Sequence, residues 1–93
     1  MILVFGKTGQ VAKELARLED VVALGRDQVD LSDLEVCADA ICAHAPSAVI
    51  NAAAYTAVDR AEEEEALATI INGDAPTAMA QACVKLGIPL IHI

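Results

Sequence analysis

The chain has 93 residues, 56% of them apolar, and a formal net charge of −8 at pH 7. This length and composition exclude a disordered chain and predict one small domain or part of a larger one. The acidic balance disfavours nucleic acid and anionic membranes as partners, and one Phe and one Tyr are too few for a base-stacking platform. No uncharged stretch is apolar enough for a membrane span.

Cysteine and histidine usage predicts a reducing compartment and no metal site. The three cysteines are an odd number without a CxxC pair, which favours free thiols and a cytoplasmic location. The first residues lack the basic segment and the cleavage site of a signal peptide. Zinc requires four clustered ligands, and the two histidines are far apart in the sequence.

Short apolar segments alternate with helical patterns along the chain. The predicted strands are 2–5, 21–24, 48–50 and 88–93, and the predicted helices are 10–18, 33–45, 59–72 and 74–86. Ser32 or Asp33 is expected to cap the second helix, and Asp74 with Pro76 to open the last, which Gly87 ends. In the first helix, Val11, Leu15 and Leu18 form the apolar face.

Strands without polar alternation, separated by helices, predict an α/β fold. We expect a Rossmann-like parallel sheet in the order 3-2-1-4, flanked by helices and truncated after the fourth strand. The last strand would leave its outer backbone groups open. Residues 1–93 are therefore expected to be the N-terminal part of a larger domain, and segment 88–93 is expected to drive self-association.

A glycine-containing loop joins the first strand to the first helix. Gly6 suits the tight turn, Gly9 lets backbone approach a diphosphate, and Ala12 permits close packing of helix on strand. The spacing is GxxGxxA, and its position between an initial strand and a helix predicts a dinucleotide site. The alternative is a turn that needs glycine only for its backbone.

The end of the second strand is where a coenzyme ribose is expected, and the residues there are Gly25, Arg26 and Asp27. Gly25 has no carboxylate to hold the 2′-hydroxyl of NAD, whereas Arg26 suits a 2′-phosphate. We therefore predict NADP in preference to NAD. Asp27 could turn in toward the ribose, and both charges could instead be solvated loop residues.

Three segments together resemble the extended short-chain dehydrogenase/reductases. They are Gly-Lys-Thr-Gly-Gln-Val at 6–11, Asp-Leu-Ser-Asp at 30–33, and Asn-Ala-Ala-Ala-Tyr-Thr-Ala-Val-Asp at 51–59. The last segment, with the stretches at 72–75 and 87–93, resembles one family in particular, dTDP-4-dehydrorhamnose reductase. The resemblance implies an NAD(P)H-dependent oxidoreductase that reduces dTDP-4-dehydro-L-rhamnose to dTDP-L-rhamnose.

The resemblance also implies cofactor contacts. Residues 9–11 would follow the diphosphate and adjoining ribose, Asp30 and Leu31 would meet the adenine, and residues 52–56 would line the cofactor after the third strand. The complete predicted cofactor-binding set is Gly6, Gly9, Gln10, Val11, Arg26, Asp30, Leu31, Ala52, Ala53, Ala54, Tyr55 and Thr56.

By the same resemblance, the catalytic Tyr-x-x-x-Lys pair and the nucleotide-sugar domain would follow Ile93. Tyr55 is not that tyrosine, because Asp59 stands where the lysine is required. No catalytic residue is therefore predicted in this chain, and the sugar would bind only to the full-length protein. The alternatives are a non-catalytic NADP-binding regulatory module of this superfamily and part of another nucleotide-sugar epimerase or dehydratase. The roles of Asn72 and His92 stay open.

Overall fold

The structure, a computed structural model, describes residues 1–7, 10–25, 27–53 and 69–93. Its elements are β1 (Ile2–Phe5), α1 (Gln10–Leu15), β2 (Val21–Leu24), α2 (Leu34–His44), β3 (Ala48–Asn51), a π-helical turn (Ile70–Asp74), α3 (Ala75–Leu86) and β4 (Leu90–His92). The helix predicted over 59–72 lies mostly outside the described residues.

The four strands form one parallel sheet, which confirms the predicted Rossmann-like α/β fold. The order is β2-β1-β3-β4, so the predicted order 3-2-1-4 is wrong. The chain returns across β1 after β2, and β3 pairs with the opposite side of β1. Burial agrees with the observed order: Val49 of β3 is fully buried in an inner strand, whereas three of the four β2 residues are only half-buried at the edge.

The main core lies on one face of the sheet, beneath α2 and α3. Leu3 and Phe5 of β1 point to this face and contact buried residues of both helices, among them Ile41 and Met79. Val4 points to the opposite face and is fully buried there, where α1 contributes Ala12. Helices therefore cover both faces, as a parallel sheet requires.

Helix α1 ends one turn earlier than predicted. After Leu15 the backbone continues in tight turns, in which the amides of Arg17 and Leu18 donate to carbonyls three residues earlier. The predicted apolar face is wrong for Val11 and Leu18, which are 45% and 56% exposed. Ala12 is the buried residue of α1, because its small side chain lets the helix backbone approach the sheet.

Asp33 begins α2, which resolves the choice between two predicted caps. Its carboxylate accepts a hydrogen bond from the amide of Val36 at 3.2 Å, satisfying one open donor of the first turn. Ser32 instead donates from its amide and its hydroxyl to Asp30. Asp30 thus stabilises the loop before α2, and Asp33 stabilises the start of the helix.

The prediction that Asp74 caps a new helix is wrong. Asp74 has helical dihedral angles and makes no side-chain cap bond, so the helix runs unbroken from the π-helical turn into α3. Pro76 has no amide hydrogen, and its ring would crowd the carbonyl four residues earlier in a regular α-helix. The wider turn relieves that crowding, and Thr77 donates its hydroxyl to the Gly73 carbonyl at 3.0 Å.

Gly87 ends α3, as predicted, and its backbone is in the left-handed conformation, with φ of +69°. Strand β4 then covers only Leu90–His92 of the predicted 88–93, and it pairs on one side only, with β3. Ile91 and Ile93 are 49% and 67% exposed at this edge. Across the described part of the chain, no helix is both long enough and apolar enough to cross a bilayer.

Candidate functional site

Three strands deliver their following residues to one edge of the sheet. Phe5, the last residue of β1, is in register with Leu24 of β2 and with Asn51 of β3. The residues that follow, Gly6, Gly25 and Ala52, therefore emerge side by side. Because the chain crosses from β1 to β2 in one direction and then back to β3 in the other, this edge contains a topological switch point, where open α/β sheets bind ligands.

Gly6 is required by its backbone and by its neighbours. Its φ is +114°, a conformation that residues with a Cβ rarely adopt. A Cβ built on Gly6 would lie 3.1 Å from the Ala52 carbonyl carbon and oxygen and from the Ala53 nitrogen. Gly6 thus rests on the backbone of Ala52 and Ala53, so the loops that follow β1 and β3 meet at this edge.

The loop after β3 is held by a buried amide. Asn51 is 6% exposed, and its Oδ1 accepts a hydrogen bond from the Ala53 amide at 3.2 Å. The Ala52 amide donates to the Phe5 carbonyl at 2.9 Å, which extends the β1–β3 pairing past the strand ends. These bonds fix the backbone that faces Gly6, and they place the half-buried Ala52 and Ala53 beside it.

The start of α1 leaves two predicted site residues on the surface. Gln10 and Val11 are exposed, whereas Ala12 is buried as the loop motif predicts. An exposed valine at the first turn of a helix has no packing role within the described residues. Its position next to the loop after β1 keeps it available to a ligand at this edge.

The tip of β2 is a buried glycine held from both sides. The Gly25 amide donates to Gln28 Oε1 at 3.0 Å, and the Gly25 carbonyl accepts from the amides of Gln28 and Val29. The side chains of Lys7 and Asp27 lie against this glycine. Gly25 has no side chain, but the charged side chains of Lys7, from the loop after β1, and Asp27, from the loop after β2, lie next to it.

Asp30 and Leu31 form a turn after β2. The Asp30 Oδ1 accepts from the Ser32 amide at 2.9 Å and from the Ser32 hydroxyl at 2.6 Å, which orients an exposed carboxylate. Leu31 is half-buried and packs on the main core. An oriented acceptor beside a partly exposed apolar side chain is suited to a flat ring with an amino group.

A buried thiol supports this turn from below. The Cys37 Sγ lies 3.9 Å from the Asp30 carbonyl oxygen. Burial, and then the negative charges of Asp33 and Asp30, raise the pKa of Cys37 to about 11. A thiol with so high a pKa stays protonated at neutral pH and acts as a small apolar residue rather than a nucleophile.

The remaining predicted site residues are Gly9, Arg26, Ala54, Tyr55 and Thr56, and they lie outside the described residues. Within the described ranges, no group of three or more His, Cys, Asp or Glu side chains is arranged to hold a metal ion. Sequence reasoning did not single out Lys7 or the amide of Asn51. Their positions in the sequence could have indicated both residues, because Lys7 is the second residue after β1 and Asn51 is the last residue of β3.

The chain matches known proteins over its whole length. The family model described as the RmlD substrate binding domain matches residues 1–93. The dTDP-4-dehydrorhamnose reductases of Streptomyces griseus and Burkholderia thailandensis are 43% and 45% identical, and each alignment covers 98% of this chain and 32% of the relative. The chain thus spans about a third of the length of these curated relatives.

A solved structure of similar fold carries a coenzyme. It is the dTDP-4-dehydrorhamnose reductase of Bacillus anthracis in complex with NADP, with a TM-score of 0.84 and 29% identity. The match covers 96% of this chain and 34% of that protein. The family resemblance predicted from the glycine loop and the alanine-rich segment is confirmed by these matches.

Proposed function

The chain belongs to the family of the RmlD substrate-binding domain, and we propose that it is the dinucleotide-binding part of an NADP(H)-dependent dTDP-4-dehydrorhamnose reductase. The backbone contact between Gly6 and Ala52–Ala53 carries this proposal, because it brings the loops after β1 and β3 together at the switch point of the sheet. The complete protein would reduce a 4-keto nucleotide sugar to dTDP-L-rhamnose.

The residues of the chain fit a dinucleotide. The diphosphate would lie over the loop after β1, beside Gly6, Gly9, Gln10 and Val11, where Gly6 rests on the backbone of Ala52 and Ala53. Asp30 would accept a hydrogen bond from the adenine amino group while Leu31 covers one face of the ring. The oriented carboxylate and the half-buried leucine support this assignment.

The loop after β3 would line the other end of the cofactor. Ala52 and Ala53 are small and rest on backbone held by Asn51, so the cofactor could lie close to the main chain. By family resemblance, Ala54, Tyr55 and Thr56 would continue this wall. When bound, the coenzyme supplies the hydride for the keto group. The residues of this chain bind and orient it, and the catalytic Tyr-Lys pair and the sugar-binding residues would lie outside residues 1–93.

The finer assignments also belong to this proposal. NADP is favoured over NAD because Gly25 offers no carboxylate and Arg26 is suited to a 2′-phosphate. The free cysteines support a cytoplasmic, reducing location. The open edge of β4 and its exposed Ile91 and Ile93 support self-association through segment 88–93.

Coenzyme titration tests the binding assignment. NADPH added to the isotope-labelled chain should shift the amide signals of Gly6, Ala52 and Ala53, with a dissociation constant weaker than low micromolar because the nicotinamide-binding half is absent. Arg26→Ala should weaken NADPH more than NADH. Signals that stay unmoved at millimolar coenzyme would refute the proposal.

Reading the encoding gene downstream of the Ile93 codon separates the reductase from its alternatives. A Tyr-x-x-x-Lys pair in frame, in a protein that reduces the keto sugar with NADPH, is the expected result. The chain of residues 1–93 assayed alone should show no turnover, and measurable reduction by it would contradict the absence of catalytic residues.

A further inference from the structure

Two charged side chains from different loops meet over the tip of β2. A Cβ built on Gly25 would lie 3.3 Å from Lys7 Cβ and 3.4 Å from Lys7 Cδ, so the lysine stem lies across the glycine. The same position is 2.8 Å from Asp27 Oδ1, so the carboxylate turns back over it. A side chain at position 25 would displace the Asp27 carboxylate and shift the Lys7 stem by a few tenths of an ångström.

Both charges are exposed to solvent. Among the described residues the ion pairs join other groups, and neither Lys7 nor Asp27 belongs to one. Within the described part of the chain, no carboxylate pairs with the lysine ammonium, whose three N–H donors can serve water or a ligand. The two side chains meet at one place although Lys7 follows β1 and Asp27 follows β2.

In dinucleotide-binding folds, the side chain at the tip of the second strand contacts the 2′ position of the adenosine ribose. Here that side chain is missing, and Lys7 and Asp27 take its place. We infer that Lys7 binds the 2′-phosphate of NADP(H) and that Asp27 opposes it by favouring a free 2′-hydroxyl, so that this pair contributes to the coenzyme preference. The inference rests on the proposed function, which brings a coenzyme to this edge.

The opposing signs give a two-armed test. Lys7→Met removes the cation and should weaken the affinity for NADPH about tenfold while changing that for NADH less than about twofold. The reason is that only NADPH has the 2′-phosphate with which the ammonium forms a charged hydrogen bond. Asp27→Asn removes the repulsion and should strengthen NADPH by about twofold to fivefold while weakening NADH. Lys7→Arg should retain most of the NADPH affinity.

Lys85→Met is the matched control, because it removes the same charge away from the candidate site. Lys85 lies in the last turn of α3, which precedes the amino end of β4, whereas the site lies at the carboxyl ends of the strands. Both coenzymes are titrated into each variant of the chain at low salt, followed by the amide signals of Gly6 and Ala53. Equal losses for both coenzymes in Lys7→Met would overturn the inference and leave the proposed function standing. Unmoved signals with either coenzyme, in the unsubstituted chain, would refute both.

Discussion

Replacing Gly6 by alanine tests the contact on which the candidate site depends. The substitution adds one methyl group where φ is +114° and where three backbone atoms of Ala52 and Ala53 lie only 3.1 Å from the new carbon. Normal contact between nonbonded carbon atoms is about 3.5–4.0 Å. The backbone of one of the two loops must therefore move if the alanine is to fit.

Two costs add at this position. Holding a non-glycine residue in a sparsely populated backbone region costs about 1–3 kcal/mol. Forcing a methyl group into a packed contact costs about 1–3 kcal/mol more. We expect Gly6→Ala to lower the free energy of unfolding by about 3 kcal/mol, a large part of the roughly 5–14 kcal/mol typical of a domain of 93 residues.

Two other glycines separate these costs. Gly87 has φ of +69° with nothing within 4 Å of a built Cβ, so Gly87→Ala should cost only the backbone term of about 1–2 kcal/mol. Gly73 is helical and equally open, so Gly73→Ala should stabilise the chain by about 0.5–1 kcal/mol. Urea unfolding of the three variants and the unsubstituted chain measures all of these values.

The order of the three variants decides the matter. If Gly6→Ala costs no more than Gly87→Ala, the loops after β1 and β3 are not held against each other. The reasoning that Gly6 brings these two loops together at the switch point would then be wrong. The same Gly6→Ala variant should also lose the coenzyme-induced shift at Ala53, because the added methyl group separates the two loops.

Three further predictions concern the buried amide, the buried thiol and the open edge. Asn51→Ala should lower the free energy of unfolding by about 1–3 kcal/mol in urea unfolding, because the Ala53 amide loses its acceptor, and a value near zero would contradict the role of the Asn51 side chain. Because folding raises the pKa of Cys37 from 9.0 to about 11, the folded state holds the proton more tightly. The protonated Cys37 thiol therefore contributes to the free energy of unfolding below pH 9. This contribution, about 2 kcal/mol in urea unfolding, is lost as pH rises toward 11. Cys37→Ala should flatten that decline, whereas Cys42→Ala, at an exposed thiol, should leave it unchanged. Sedimentation of the chain should show association that grows with concentration and weakens in Ile91→Lys, and a monomer at all concentrations would exclude the open β4 edge as a contact.

Local signals in the sequence were sufficient for the elements and for the start of the site. The apolar runs at 2–5 and 21–24 formed strands with the predicted bounds, since a short buried run flanked by polar residues and glycine has few other stable conformations. Gly6 forms the turn predicted after β1 and Gly87 ends the last helix as predicted, both with a positive φ. The family resemblance also rested on short loop segments, those at 6–11 and 51–59, because loops that face a ligand need particular residues to adopt their backbone conformation.

Pairing and packing could not be obtained from those signals. The order β2-β1-β3-β4 depends on which edge of β1 accepts β3, and every apolar strand offers the same hydrogen bonds to either neighbour. The wide helical turn before Pro76 depends on whether a helix stops or widens at a proline, and both outcomes satisfy the backbone.

Composition, hydrophobic pattern and short motifs are enough to identify an acidic α/β unit with a dinucleotide-type glycine loop and the segments of a sugar-nucleotide reductase family. The contact of Gly6 with the backbone of Ala52 and Ala53, and the approach of Lys7 and Asp27 to Gly25, become visible only in the folded chain. Composition and periodicity report how each segment meets water, whereas contacts between loops distant in sequence exist only after the strands have paired.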